Sequence, residues 1–175
     1  MRQNPYISFL IQFVFLVLLQ IIIISQDFVI FNGLGFCFIY VLFLLQLPIG
    51  LGRVSTMSIA FLTGSIVDIF YNTSGMNAAA CVLIMFLRPY LIKALNPQSG
   101  LENIQSITIS SVGFTWFSIY TLLMVFIHHL TLFFIHTFNT HFFWSTLSKS
   151  IISTLFTYCV ILVIQYLFYT ERRRR

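Results

Sequence analysis

Hydrophobic positions fall in long blocks, and the breaks between them are short and carry Pro, Gly, Asn or charge. The first block, Tyr6–Ile24, is interrupted only by Ser8, Gln12 and Gln20. No small-residue cleavage signal follows it, so it reads as a retained first span and not as a signal peptide. The second, Phe36–Leu47, ends at Pro48, Gly50 and Gly52 and is short unless Phe28 to Ile30 join it. The remaining blocks place spans at 56–71, 76–95, 109–132 and 147–169, after 6–25 and 33–47. None alternates polar and apolar residues as a membrane barrel would. A helix crossing the hydrocarbon core needs about 20 residues, so six would use about 120 of the 175. The rest is too short for a separate folded domain. The expected architecture is therefore one all-α domain over residues 1–175, a bundle of six transmembrane helices.

Composition agrees with lipid as the solvent. The chain is 59% hydrophobic, 18% aromatic and 7% charged, against about 45–50% apolar and about 25% charged in soluble domains. That excludes a soluble enzyme, a nucleic-acid-binding domain and a disordered tail. Six spans bring both termini to one side. Arg2, Arg53, Lys93 and Arg172, Arg173, Arg174 and Arg175 then share a face with Arg88, and only Lys149 lies opposite. The positive-inside rule makes that face cytoplasmic. The terminal arginines also attract anionic lipid. They read first as topology anchors, and second as a docking site for a cytoplasmic partner.

Two charges fall inside spans, where ionisable groups are costly and face a bundle interior, a partner or water. Asp68 lies near the outer end of the third span, with Ser65 and Asn72 as expected donors. Arg88 lies in the inner half of the fourth, just before Pro89, close enough for its long side chain to reach the headgroups. Thr56, Ala60, Gly64, Asp68 and Asn72 recur at every fourth position and form a small or polar stripe on one helix face. Small residues let helices approach closely in lipid, so the stripe should pack on another helix, and Ala78-Ala79-Ala80 offers a matching surface. Asn72-Thr73-Ser74-Gly75 supplies turn chemistry, making the third and fourth spans a hairpin.

Other constellations are thin. Cys37, Cys81 and Cys159 show no metal or disulfide spacing and read as small packing residues. His128, His129, His136 and His141 lack the acids and convergence of a zinc site; they read as an interfacial belt with Phe133, Phe134, Phe138, Phe142, Phe143 and Trp144. No phosphate loop, H-E-x-x-H or G-x-S-x-G motif is present. With four acids in the chain, acid–base catalysis has little to work with. The expectation is a non-enzyme without cofactor or metal.

The stretch Gly64-Ser65-Ile66-Val67-Asp68-Ile69-Phe70, Asn72-Thr73-Ser74-Gly75-Met76-Asn77-Ala78-Ala79-Ala80 and Phe86-Leu87-Arg88-Pro89 resembles the MreD family of bacterial rod shape-determining membrane proteins. It departs from the family pattern at Asn77, where His is expected. The resemblance implies residence in the bacterial cytoplasmic membrane within the cell-wall elongation complex, beside MreC, the MreB filament, the glycosyltransferase RodA and a class B penicillin-binding protein. It implies a scaffolding or regulatory role in peptidoglycan synthesis, and a fold similar to the substrate-binding subunits of energy-coupling-factor vitamin transporters. By position, Gly64, Asp68, Gly75, Arg88 and Pro89 match the motif and take structural or partner-contact roles, alongside Ala60 and Asn72 of the stripe. The rival reading on the same architecture is a subunit that captures a vitamin or other small molecule, with Asp68, Asn72, Asn77 and the histidines as candidate ligands.

Overall fold

A computed structural model describes residues 5–25, 35–95, 106–137 and 143–169. Seven helices occur among them: α1 (Pro5–Ser25), α2 (Val41–Leu45), α3 (Arg53–Tyr71), α4 (Met76–Leu95), α5 (Ile109–Val112), α6 (Phe114–Thr137) and α7 (Phe143–Tyr169). No β-strand lies among the described residues. α3, α4, α6 and α7 up to Phe168 are each long and apolar enough to cross a membrane. α1 has 21 residues, with a shorter apolar stretch at Phe9–Ile22. Large apolar side chains point outward on all five, among them Leu10, Ile69, Phe86, Leu123 and Leu167. Water would penalise such surfaces, whereas lipid accepts them. By length and composition the chain is a multi-pass, all-helical membrane protein.

α3 and α4 form a closely packed hairpin, as do α6 and α7. α4 joins the two by packing on α6, and α1 lies against α3 and α2. Hydroxyls on the long helices mostly satisfy themselves on the preceding turn, as Thr63 does on Ile59 O (2.7 Å) and Thr154 on Ser150 O (2.7 Å). Such back-bonding lets Ser and Thr sit in lipid without an unpaired donor.

α4 has the bounds expected from the pattern; α3 and α7 begin earlier, at Arg53 and Phe143. The expected fifth span at 109–132 is interrupted. Thr108 caps α5 through a reciprocal pair with Ser111. Gly113 then takes φ 84°, and α6 starts at Phe114 and runs to Thr137. A left-handed residue cannot sit inside an α-helix, and glycine adopts that conformation without steric penalty.

The largest difference lies in the expected second span at 33–47. Its described residues hold one five-residue helix, α2, preceded by non-helical backbone. Residues 37–47 are all buried. They pass through the bundle from the level of Tyr71, near the α3–α4 turn, to the level of Arg88. Backbone outside a helix is tolerated at membrane depth only when protein covers it and supplies its hydrogen bonds. Here side chains of the neighbouring helices supply them. Gln20 of α1 accepts from Ile39 N (2.6 Å) and donates to Cys37 O (2.9 Å). On α7, Ser153 Oγ accepts from Phe36 N (3.0 Å) and Thr157 Oγ1 from Phe38 N (3.2 Å). At the other end, Arg88 of α4 donates to Leu45 O and Leu47 O.

Candidate functional site

Asp68, near the C-terminal end of α3, is buried, and its carboxylate is directed at the start of α4. Asn72 takes the left-handed conformation (φ 52°) that ends α3. Asn72 and Thr73 both donate their N–H to Asp68 O, closing the last turn. This is a Schellman-type stop, for which Asn is the usual alternative to Gly. Gly75 follows with φ 82° and receives the first α4 bond, from Ala79 N (3.0 Å). Gly75 has no side chain with which to cap α4, and Asp68 takes over that work. Its oxygens accept from Asn77 N (3.0 Å) and Ala78 N (2.9 Å), the second and third amides of the helix. A carboxylate there satisfies orphan N–H groups and faces the positive end of the helix dipole. Thr73 Oγ1 and Asn77 Nδ2 complete its shell. The expected donors Ser65 and Asn72 supply no side-chain bond to it; Thr73, Asn77 and two backbone amides do.

Gly64 makes this capping possible, because the helices meet there backbone to backbone. A Cβ on Gly64 would lie 2.4 Å from Ala78 Cα and 2.8 Å from Asn77 C. Thr56, Ala60, Gly64 and Asp68 of the stripe are buried, while Asn72 at its end is exposed.

From Asn77 a polar string runs into the core. Tyr40 Oη donates to Asn77 Oδ1 (3.0 Å) and lies 2.9 Å from His128 Nε2. Since the Tyr40 proton goes to Asn77, Nε2 carries the proton of His128 and donates to Tyr40. His128 Nδ1 then has no hydrogen-bond partner among the described residues. Cys81 Sγ is 3.7 Å from Tyr40 Oη and 3.8 Å from His128 Nε2. His129 holds Val125 O through Nδ1 (2.7 Å) and meets Thr157 through Nε2 (3.3 Å). A Cys beside a His is the start of a nucleophilic site, but Cys81, His128 and Tyr40 are all fully buried, so no substrate reaches the thiol in this arrangement. Asn77 also interrupts proton conduction along the string, because an amide does not relay a proton as a hydroxyl or imidazole does. Among the described residues no three His, Cys, Asp or Glu converge as metal ligands.

Arg88 does not reach for the headgroups. It is buried and donates through Nε to Tyr120 Oη (3.1 Å) and through Nη2 to Leu45 O, at the last residue of α2, and to Leu47 O just beyond it. Tyr120 Oη donates to Leu45 O as well (3.3 Å). A guanidinium suits this position because several donors in a fixed fork can serve carbonyls that no helix satisfies. Asp68 and Arg88 do not pair; each serves a helix end. Pro89, next in α4, removes a backbone donor from the helix interior.

The other predicted residues are dispersed. Arg53 and Lys93 lie exposed at the end of the α3–α4 hairpin far from its turn. Arg172 to Arg175 and His141 lie outside the described residues. The expected interfacial belt loses His128, His129 and Phe133, which are buried, while His136, Phe143 and Trp144 are exposed. Lys149 sits 4.8 Å from the Phe36 ring centroid and 5.6 Å from that of Phe133. Cys37 and Cys81 are buried, and Cys159 is exposed. Gln20, Tyr40, Tyr120 and Thr157 were not picked out from the sequence. For Gln20 the signal was present, as a large polar residue interrupting an apolar run. Compared with protein-family models, curated proteins and solved structures, the chain matches none.

Proposed function

We propose that the chain is a non-enzymatic scaffold or regulatory subunit of the bacterial cell-wall elongation complex, helping to set rod shape. It sits in the cytoplasmic membrane with both termini cytoplasmic. It binds MreC and, with it, MreB, RodA and a class B penicillin-binding protein. The observation that carries this reading is how the motif-bearing stretch is used. Gly64, Asp68, Gly75 and the Asn77–Ala78 amides build one rigid hairpin, and Arg88 fastens it to the broken segment. The polar chemistry of the motif is committed to shape, which is what a scaffold requires.

The same geometry weakens the rival reading of a small-molecule capture subunit. A capture pocket needs polar groups converging on a cavity. Asp68 and Asn77 are bonded to each other and to the hairpin, and His128 is closed over by Tyr40. Affinity purification of the tagged protein from its native membrane tests the choice. Recovery of MreC and wall synthases, with rounded cells on depletion, is the expected result. Recovery of an energising ATPase module, with loss of nutrient uptake and normal shape, would replace this reading by the rival.

A further inference from the structure

The face of the α3–α4 hairpin beside its buried stripe carries a groove of about 590 Å³. Met57, Phe61 and Ser65 line it from α3, and Ala79, Val82 and Phe86 from α4. Ala79 gives it a shallow floor, and the exposed rings of Phe61 and Phe86 form its rims. Arg53 lies one turn below Met57, and Tyr90 one turn beyond Phe86, so both stand at one end of the groove. There the Arg53 guanidinium carbon lies 5.3 Å from the Tyr90 ring centroid, and Tyr90 packs on Phe86 at 5.8 Å. Lys93, three residues further along α4, is also exposed. Asp68 is the single acidic residue among the described ones, and it is committed to the start of α4. The end of the groove is therefore cationic, with no carboxylate of the described residues to neutralise it.

Dimensions and charge identify the occupant. At 1.5 Å per residue, Ser65 lies about 18 Å along α3 from Arg53. One leaflet contributes about 15 Å of the ~30 Å hydrocarbon core. The groove is thus an apolar trough at least one acyl chain long, reaching from its cationic end as far as Gly75 at the α3–α4 turn, with cations and an interfacial tyrosine where a lipid headgroup lies. A guanidinium attracted to an aromatic ring still has N–H donors to offer phosphate oxygens. We infer that this groove binds an anionic phospholipid, with its acyl chain between α3 and α4 and its phosphate held by Arg53 and Lys93.

The test uses the full-length protein in phosphatidylcholine nanodiscs containing phosphatidylglycerol with a photoreactive diazirine on one acyl chain. Labelling is expected on the peptides holding Phe61 and Ala79, competed by unlabelled phosphatidylglycerol and not by added phosphatidylcholine. Arg53→Gln and Lys93→Gln should each lower it about fivefold, the effect of removing one basic residue near an anionic surface. Ala79→Phe should abolish labelling at the groove. High salt should weaken labelling of the unmodified protein, a readout independent of any variant's folding. Equal competition by phosphatidylcholine, or labelling insensitive to Arg53→Gln and to salt, would mean ordinary lipid solvation and overturn the inference. So would protection of the groove by a helix of another protein or a second copy.

Discussion

Replacing Gly64 by alanine should destabilise the protein, the reverse of what that change does in an isolated helix. In a helix interior Gly→Ala gains about 0.5–1 kcal/mol from backbone entropy. At Gly64 the new methyl would lie 2.4 Å from Ala78 Cα and 2.6 Å from Ala78 N. Ordinary carbon contacts are about 3.5–4.0 Å, so α3 and α4 must part by more than about 1 Å. Backbone atoms cannot rotate out of the way as a side-chain end can. Overpacking of this kind costs about 1–3 kcal/mol. Separation also draws the Asn77 and Ala78 amides away from Asp68, from 3.0 and 2.9 Å towards the limit of a hydrogen bond, and losing a helix cap costs about 0.5–2 kcal/mol. Set against the entropic gain, the net loss is about 1–4 kcal/mol. Reversible unfolding in mixed micelles, titrated with a denaturing detergent, measures it. Gly50→Ala is the control: this glycine lies between α2 and α3, an added Cβ there meets nothing within 4 Å, and its stability should stay within about 0.5 kcal/mol of the parent. A Gly64→Ala protein as stable as the parent would refute the close approach of the two backbones.

Three further changes are testable, the first two by the same titration and the third by amide hydrogen exchange. Gln20→Leu strips the partners from Cys37 O and Ile39 N; at about 1–3 kcal/mol per buried unsatisfied group it should be among the most damaging single substitutions on α1, and a loss below 0.5 kcal/mol would contradict the role given to Gln20. Arg88→Met should lose a comparable amount through Leu45 O and Leu47 O, with Arg88→Lys recovering part of it because an ammonium lacks the fork; equal stability of the Met and Lys variants would argue against it. Asp68→Asn keeps the shape but turns an N–H towards donors, so amide hydrogen exchange at Asn77 and Ala78 should accelerate while α6 stays protected, and unchanged exchange would show that the cap is not what holds α4.

The hairpin was legible because its signals are local. A stop at Asn72, a glycine at 75 and small residues spaced by four all act within a few turns, and α4 falls where the apolar run does. The partners of Asp68 were less legible. Neighbours in sequence such as Ser65 suggested themselves, whereas the amides of the next helix depend on how closely Gly64 lets that helix approach. Arg88 misled for a related reason. Its side chain is long enough to reach a headgroup, and only the presence of unsatisfied carbonyls at Leu45 and Leu47 turns it inward. His128 and His129 illustrate the limit of composition: histidines amid phenylalanines suit an interface, but two consecutive positions on a helix central to the bundle bring both rings inside.

The second apolar run shows most clearly what periodicity leaves out. Phe36 to Leu47 is as apolar as a membrane helix and closes at Pro48, yet residues 36–40 are not helical. An apolar run says that a segment avoids water; it does not say how the backbone is satisfied. A helix satisfies its own backbone, and an unwound segment has to borrow partners. In this chain they come from Gln20, Ser153, Thr157, Tyr120 and Arg88, drawn from four helices. Most hydroxyls of the long helices bond within their own helix, and the side chains that bond outside it are concentrated on this segment and on the start of α4. That concentration explains how a protein with so little charge keeps a unique arrangement. Apolar helices slide and rotate against one another in lipid at small cost, because lipid tails and leucines are equivalent neighbours. A backbone left unpaired in the middle of the bundle fixes the register of every helix that serves it, since moving any one of them exposes a buried polar group. The broken segment thus acts as the common reference to which α1, α4, α6 and α7 are aligned, and α3 is aligned in turn through Gly64 and Asp68.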